Sequence, residues 1–148
     1  MPCINFNLQP GGPILTALIG PSQPRVQALS ASGSPVPNFV PGTFLVDTGA
    51  SCTCVDLDVI QALALQPTGR VAISTPSTSA GQKHLCDQYD VALFIPGNIP
   101  GTGYSLGALA VITTHLKSQG IEGLIGRDVL SNCTLIYNGS AFICTLAY

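Results

Sequence analysis

Asp47 stands alone. Among the 30 residues between Arg25 and Asp56 it is the single charge, and it directly follows the run Thr43-Phe44-Leu45-Val46. That run reads as a buried strand. A carboxylate at the end of such a strand is costly to desolvate unless it is paired, hydrogen-bonded or protonated, so its presence invites a functional explanation. The next residues, Thr48, Gly49, Ala50 and Ser51, supply a hydroxyl and then a glycine able to turn back and offer its N–H to the carboxylate.

The other reactive side chains are less promising. Cys52-Thr53-Cys54 is a C-x-C, no C-x-x-C occurs, and His84 and His115 fall in no ligand spacing, so no metal site is expected. Asp56 and Asp58 are better explained as a helix cap and its dipole complement. Gly101-Thr102-Gly103 lacks the strand-then-helix context of a nucleotide loop, and no cofactor is implied. A framework of disulfides belongs to short secreted chains. The six cysteines therefore read as buried, reduced thiols acting as small hydrophobes. The sequons at Asn132 and Asn138 read as chance matches within sheet.

Composition narrows the class. The 148 residues suit one domain. Hydrophobic residues make up 46%, which excludes intrinsic disorder. Five scattered cations and a net charge of −2 exclude the phosphate neutralisation that nucleic-acid binding needs. Charged residues are only 8%, against about 25% in ordinary domains, and mean hydropathy is +0.44. These values raise the question of a membrane span, but the charge-free windows 1–24, 26–46 and 91–116 are all broken by Pro and Gly. Met-Pro-Cys-Ile-Asn lacks the basic start of a secretory signal. The reading is a soluble, cytoplasmic chain.

Turn-formers recur about every 8–12 residues between runs rich in Val, Ile, Leu, Thr and Phe, the spacing of an all-β domain. Strands are predicted over 4–8, 14–19, 25–30, 42–46, 70–75, 84–95, 106–113, 134–137 and 141–146. Asn138-Gly139 predicts a type I′ hairpin between the last two. Asp56 is expected to cap a helix over 57–65, ended by Gln66-Pro67, and a shorter helix is expected over 127–132.

Two segments carry a resemblance. Phe44-Leu45-Val46-Asp47-Thr48-Gly49-Ala50-Ser51 resembles the first signature of the aspartic proteases, and Gly123-Leu124-Ile125-Gly126-Arg127-Asp128, roughly 75 residues on, resembles the second. The helix after the first and the hairpin after the second agree, so residues 13–146 are similar to retropepsin-like proteases. The segment from Val55-Asp56 to Thr68-Gly69 is nearer to the cellular and bacterial-type members than to the viral ones. The resemblance implies a single-lobed, closed all-β barrel with one or two short helices, spanning 1–148 with 1–12 as an N-terminal extension.

The resemblance also implies chemistry. Hydrolysing a peptide with carboxylates alone takes two, one ionised and one protonated. This chain has one Asp-Thr-Gly, so the expectation is a C2 homodimer with the site on its axis. Asp47 would be the catalytic carboxylate, Thr48 the hydroxyl crossing the axis, and Gly49 a donor to the carboxylate and the substrate backbone. A polypeptide would lie extended against Ala50, Ser51 and Ile125, beneath a flap near 74–82 that includes Thr75, Pro76, Ser77 and Thr78. Leu124, Gly126, Arg127 and Asp128 would form the second loop, with Thr53 bonded to Asp128. Ser51 stands where viral members carry the aspartate that pairs the arginine, so Arg127 needs another partner: Asp128, Asp58 or a carbonyl. The C-terminal hairpin is the candidate for an inter-chain sheet. The rival reading is a module of the same fold that dimerises and binds peptide without cutting it.

Overall fold

The computed structural model describes residues 1–74 and 83–148. The flap expected near 74–82, with Thr75, Pro76, Ser77 and Thr78, therefore lies outside the described residues except for Ser74. The strands are β1 (Cys3–Asn7), β2 (Ile14–Pro21), β3 (Val40–Val46), β4 (Cys54–Asp56), β5 (Gly69–Ile73), β6 (His84–Pro96), β7 (Gly103–Thr114), β8 (Gly123–Ile125), β9 (Thr134–Asn138) and β10 (Ile143–Ala147). The helices are α1 (Gln23–Ala31), α2 (Leu57–Ala62) and α3 (Arg127–Leu130), with a 3₁₀ turn at Lys117–Gln119.

Six strands close into a barrel in the order β2-β3-β8-β4-β7-β6, and β6 returns to β2. The closure depends on the length of β6, whose 13 residues hold two neighbours in succession. Residues His84 to Gln88 pair with β5, and Val91 to Phe94 pair with β2. A bulge in the β6–β7 ladder between Val91 and Leu93 supplies local bending of the kind a barrel needs. Inside lie Ile19, Phe44, Val55, Val91, Leu93, Ile95, Val111 and Ile125, all but sealed from solvent, and Ile60, Leu63 and Val129 from the helical segments join them. A separate antiparallel sheet, β1-β10-β9, unites the two ends of the chain. Residues 1–12 thus do more than extend the chain: β1 pairs with β10 along its whole length, and the Leu8 N–H donates to the Phe142 carbonyl at 2.9 Å.

The strand expected over 25–30 is a helix. Pro24 sits in the first turn of α1, where its missing N–H costs nothing, and Gly33, at φ +68°, follows the C-cap Ser32. None of the α1 residues is buried, so the apolar residues that suggested a strand meet no core. α2 ends at Ala62 instead of 65, with Ala64 turned to φ +50°, and α3 is a single turn. The hairpin at Asn138 is real, but its turn is not the two-residue type I′. Asn138 pairs with Ile143 across four residues, the Asn138 side chain accepts from Ser140 Oγ (2.9 Å) and Ala141 N (3.1 Å), and Phe142 takes the left-handed conformation.

Asp56 does cap α2, and it does more. Its Oδ1 accepts from Asp58 N at 3.0 Å, while Oδ2 accepts from the N–H groups of Leu116 (2.7 Å) and Lys117 (2.9 Å). One carboxylate thus ties α2 to the end of β7. Burial works to raise its pKa, but the three backbone donors and the nearby Lys117 charge outweigh it and hold the carboxyl below its ordinary value. A depressed native pKa contributes stability above the unfolded-state value, and that stability is lost as pH falls through the native one. Asp56→Asn would turn an amide donor toward N–H donors and is expected to cost about 1–3 kcal/mol at neutral pH. Urea unfolding should show the gap between wild type and variant narrowing as pH drops below about 4. A gap that stays constant with pH would contradict this role.

Candidate active site

The site is built where two loops cross. The first, residues 47–53, leaves β3; the second, residues 123–128, contains β8 and opens α3. β3 and β8 run parallel, Phe44 beside Gly123 and Val46 beside Ile125, and the ladder continues one step as Asp47 N donates to Ile125 O at 2.9 Å. Gly123 has to be glycine because a Cβ there would enter the Phe44 ring. Beyond the strands, Arg127 N donates to Ala50 O at 3.0 Å.

Thr53 fastens the crossing from below. It is fully buried. Its N–H and its hydroxyl donate to the two oxygens of Asp128, both at 2.8 Å, and its Oγ1 accepts from Gly126 N at 3.1 Å. Asp128 Oδ1 also accepts from Val129 N at 2.9 Å, inside the first turn of α3. A Cβ on Gly126 would stand 2.5 Å from the Cys52 carbonyl carbon, so only glycine allows the loops to approach this closely. Arg127 reaches a carbonyl, that of Thr48, with Nη1 at 3.2 Å. Of the three partners open to it from sequence, the backbone is the one taken.

Above this lock the Asp47 carboxylate is half-buried. Its Oδ1 accepts from Gly49 N at 2.8 Å and from Ala50 N at 3.3 Å. Among the described residues Oδ2 accepts no hydrogen bond and is left for a ligand or water. Asp47, Ala50 and Ser51 border a groove of about 390 Å³ that Ile73, Ile112 and Leu124 also line, and among the described residues Asp47 is its one charged side chain. A larger cleft of about 490 Å³ lies beside β1 and β2, but no titratable side chain among the described residues lines it. The smaller groove is therefore the candidate site.

Asp47, Gly49, Ala50 and Ser51 lie together on this groove, and Thr48 is exposed. Ile125 does not join them. Strand alternation turns its side chain into the barrel, where it is fully buried, and places Leu124 on the groove instead. Sequence reasoning missed Cys52, Cys54, Ile73 and Ile112 as lining residues. The nearness of the C-x-C to Asp47 was the available signal. The thiols are all free, but only Cys54 and Cys144 are buried; Cys3 is exposed, and Cys52, Cys86 and Cys133 are half-buried.

Neither a family model nor a curated protein matches the chain by sequence. Its fold is similar to that of a retropepsin-like aspartic protease from Rickettsia conorii, with a TM-score of 0.62 and 16% identity over 99% of this chain and 90% of that one. The retroviral protease-like domain of Ddi1 from Leishmania major matches more remotely, with a TM-score of 0.39 and 14% identity over 86% of this chain and 82% of that one. The chain has the retropepsin-like fold: a single-lobed barrel of six strands with three short helices. No helix among the described residues is long and apolar enough to cross a membrane.

The lock makes a testable claim. Thr53→Val removes the hydroxyl at constant shape, leaves the buried Gly126 N–H unsatisfied and takes from Asp128 Oδ1 one of its two donors. It is expected to cost about 2 kcal/mol or more in urea unfolding, whereas Thr53→Ser, which keeps the hydroxyl, should recover most of that loss. Equal destabilisation by both variants would mean that the threonine methyl, not the hydrogen bonds, matters.

Proposed function

We propose that the chain is an aspartic endopeptidase that works as a homodimer, each copy contributing Asp47 to one site on the two-fold axis. The observation that carries this reading is the Asp47 carboxylate itself: half-buried, oriented by two backbone N–H groups through one oxygen, and facing an otherwise uncharged groove with the other. One carboxylate cannot both accept a proton from water and polarise a carbonyl. Two of them about 3 Å apart share a single proton and divide the roles, the ionised one drawing a proton from water and the neutral one bonding the scissile carbonyl. The chain supplies one Asp-Thr-Gly, so the second carboxylate comes from a second copy.

The parts follow from that. Thr48, exposed and braced through its carbonyl by Arg127, crosses the axis with its hydroxyl in this reading. Gly49 holds the carboxylate with its N–H. A polypeptide lies extended across the groove, its side chains alternating between Leu124, Ile112 and the opposite wall. The β1-β10-β9 sheet supports a second copy as well. Residues 129–148 contain no charged side chain, and β9 is an edge strand with Ile136 and Tyr137 more than half exposed. A soluble monomer would ordinarily protect such an edge with charge.

Asp47→Asn keeps the size and the acceptor of the side chain and removes its charge. The variant is expected to remain a dimer in sedimentation and to lose peptide cleavage by roughly 10³-fold or more, the scale on which removal of a principal catalytic group is felt. Undiminished cleavage by the variant would refute the enzyme reading. Wild-type protein that dimerises and binds peptide but cleaves no member of a diverse peptide library would establish the binding module instead.

A further inference from the structure

The groove that holds Asp47 is also lined by two thiols, an unusual neighbour for a carboxylate. Cys52 is half-buried where the chain bends out of the Asp47 loop, and Cys54 is the buried first residue of β4. Both border the groove. Cys54 Sγ donates back to the Cys52 carbonyl at 3.7 Å. Residues two apart on an extended strand have Cα atoms about 6.6 Å apart. This falls within the roughly 4.4–6.8 Å that a disulfide tolerates. Cys86, on β6, packs against the same apolar cluster but belongs to a different strand.

We propose that Cys52 and Cys54 form an oxidisable pair that closes this groove: peroxide converts them to a disulfide, and a dithiol reductant reopens it. The inference rests on the protease reading only for its effect on cleavage; the disulfide stands or falls by itself. In the first step the Cys52 sulfur attacks one peroxide oxygen, an S–O bond forms, the O–O bond breaks, and water leaves with the thiol proton. In the second, the Cys54 sulfur attacks the sulfenic sulfur, the S–S bond forms, the S–O bond breaks, and a second water leaves. Two thiols are oxidised and one peroxide is reduced to two waters. The order is set by access. Cys52 meets solvent in the groove, whereas Cys54 is buried and its thiol is pushed up to about 12, mainly by burial, so it reacts only with a sulfur delivered beside it.

The bond would act on the site through Thr53, which lies between the two cysteines and carries the hydrogen bonds to Asp128 and Gly126. Drawing the flanking sulfurs together bends the backbone at that residue and disturbs the floor under Asp47. It also replaces two separate side chains with a cystine ridge in the groove.

The test is peroxide treatment of the full chain followed by intact and peptide mass spectrometry, with cleavage assayed before and after. The expected product has lost two hydrogens without gaining oxygen, and the loss maps to the fragment holding Cys52 and Cys54. Dithiothreitol should restore both mass and cleavage. Cys52→Ser should abolish the mass loss, and Cys54→Ala should leave Cys52 as a sulfenic acid that dimedone traps, which separates the two steps even if one variant is less stable. Oxidation confined to Cys3, or a bond from Cys52 to Cys86, would overturn the proposal. Wild-type protein that forms the Cys52–Cys54 bond but never cleaves peptide would leave the pair established and the protease reading refuted; a bond that forms without lowering measurable cleavage would refute closure of the groove.

Discussion

Everything at the site hangs from the hydrogen bonds between Thr53, Asp128 and Gly126. They join two loops that are about 75 residues apart in sequence, and they do so at a buried threonine, with the Gly126 bond wholly buried and the Asp128 bonds partly so. The strands on either side are only three residues long, too short to hold a register by themselves. The threonine hydroxyl is used twice, as donor and as acceptor, and both oxygens of the Asp128 carboxylate accept from backbone or hydroxyl donors. A buried polar network of this kind is stabilising only when every member is satisfied. Here it is, and the consequence is a rigid base on which Asp47 can be aimed by nothing more than two turn N–H groups.

The scarcity of charge takes on a meaning within this frame. The six barrel strands, closed by β6 onto β2, leave no free edge among themselves, and β5, which flanks β6 as an exposed edge, carries the charge of Arg70. The terminal sheet has free edges and lacks charge as well, which accords with its being covered by a second copy. The carboxylates that the chain does keep have definite work: Asp56 ties α2 to the end of β7, Asp128 holds the loop crossing, and Asp47 faces the groove. The exposed pairs Arg70–Asp87 and Lys117–Asp58 are surface ion pairs of the sort that contribute little.

Much of this was legible in the chain because local chemistry and tertiary role agree. Asp47 could be found because no other charge surrounds it, the Thr53–Asp128 bond because both residues hold recognisable places in two motifs, and most strands because alternation and turn residues delimit them. The failures have physical causes. Residues 25–30 were read as a strand because apolar residues normally imply a core to face, and α1 faces none. β4 and β8 escaped because three residues carry no periodicity. Ile125 was assigned to the groove because a motif gives position without direction, and a one-residue alternation decides which of Leu124 and Ile125 faces outward. The hairpin turn departs from the tight one that Asn-Gly suggests because the Asn138 side chain accepts from Ser140 and Ala141, favouring a longer loop.

The central claim is that the working site contains one Asp47 from each of two chains. It is tested most directly by mixing wild-type and Asp47→Asn chains at constant total concentration, allowing the subunits to exchange, and measuring peptide cleavage against the wild-type fraction. If both carboxylates are needed, only wild-type pairs are active and the rate follows the square of that fraction, so an equal mixture retains about a quarter of the full activity. A rate that falls in direct proportion to the wild-type fraction would mean that each chain acts with its own carboxylate alone, and would contradict the account.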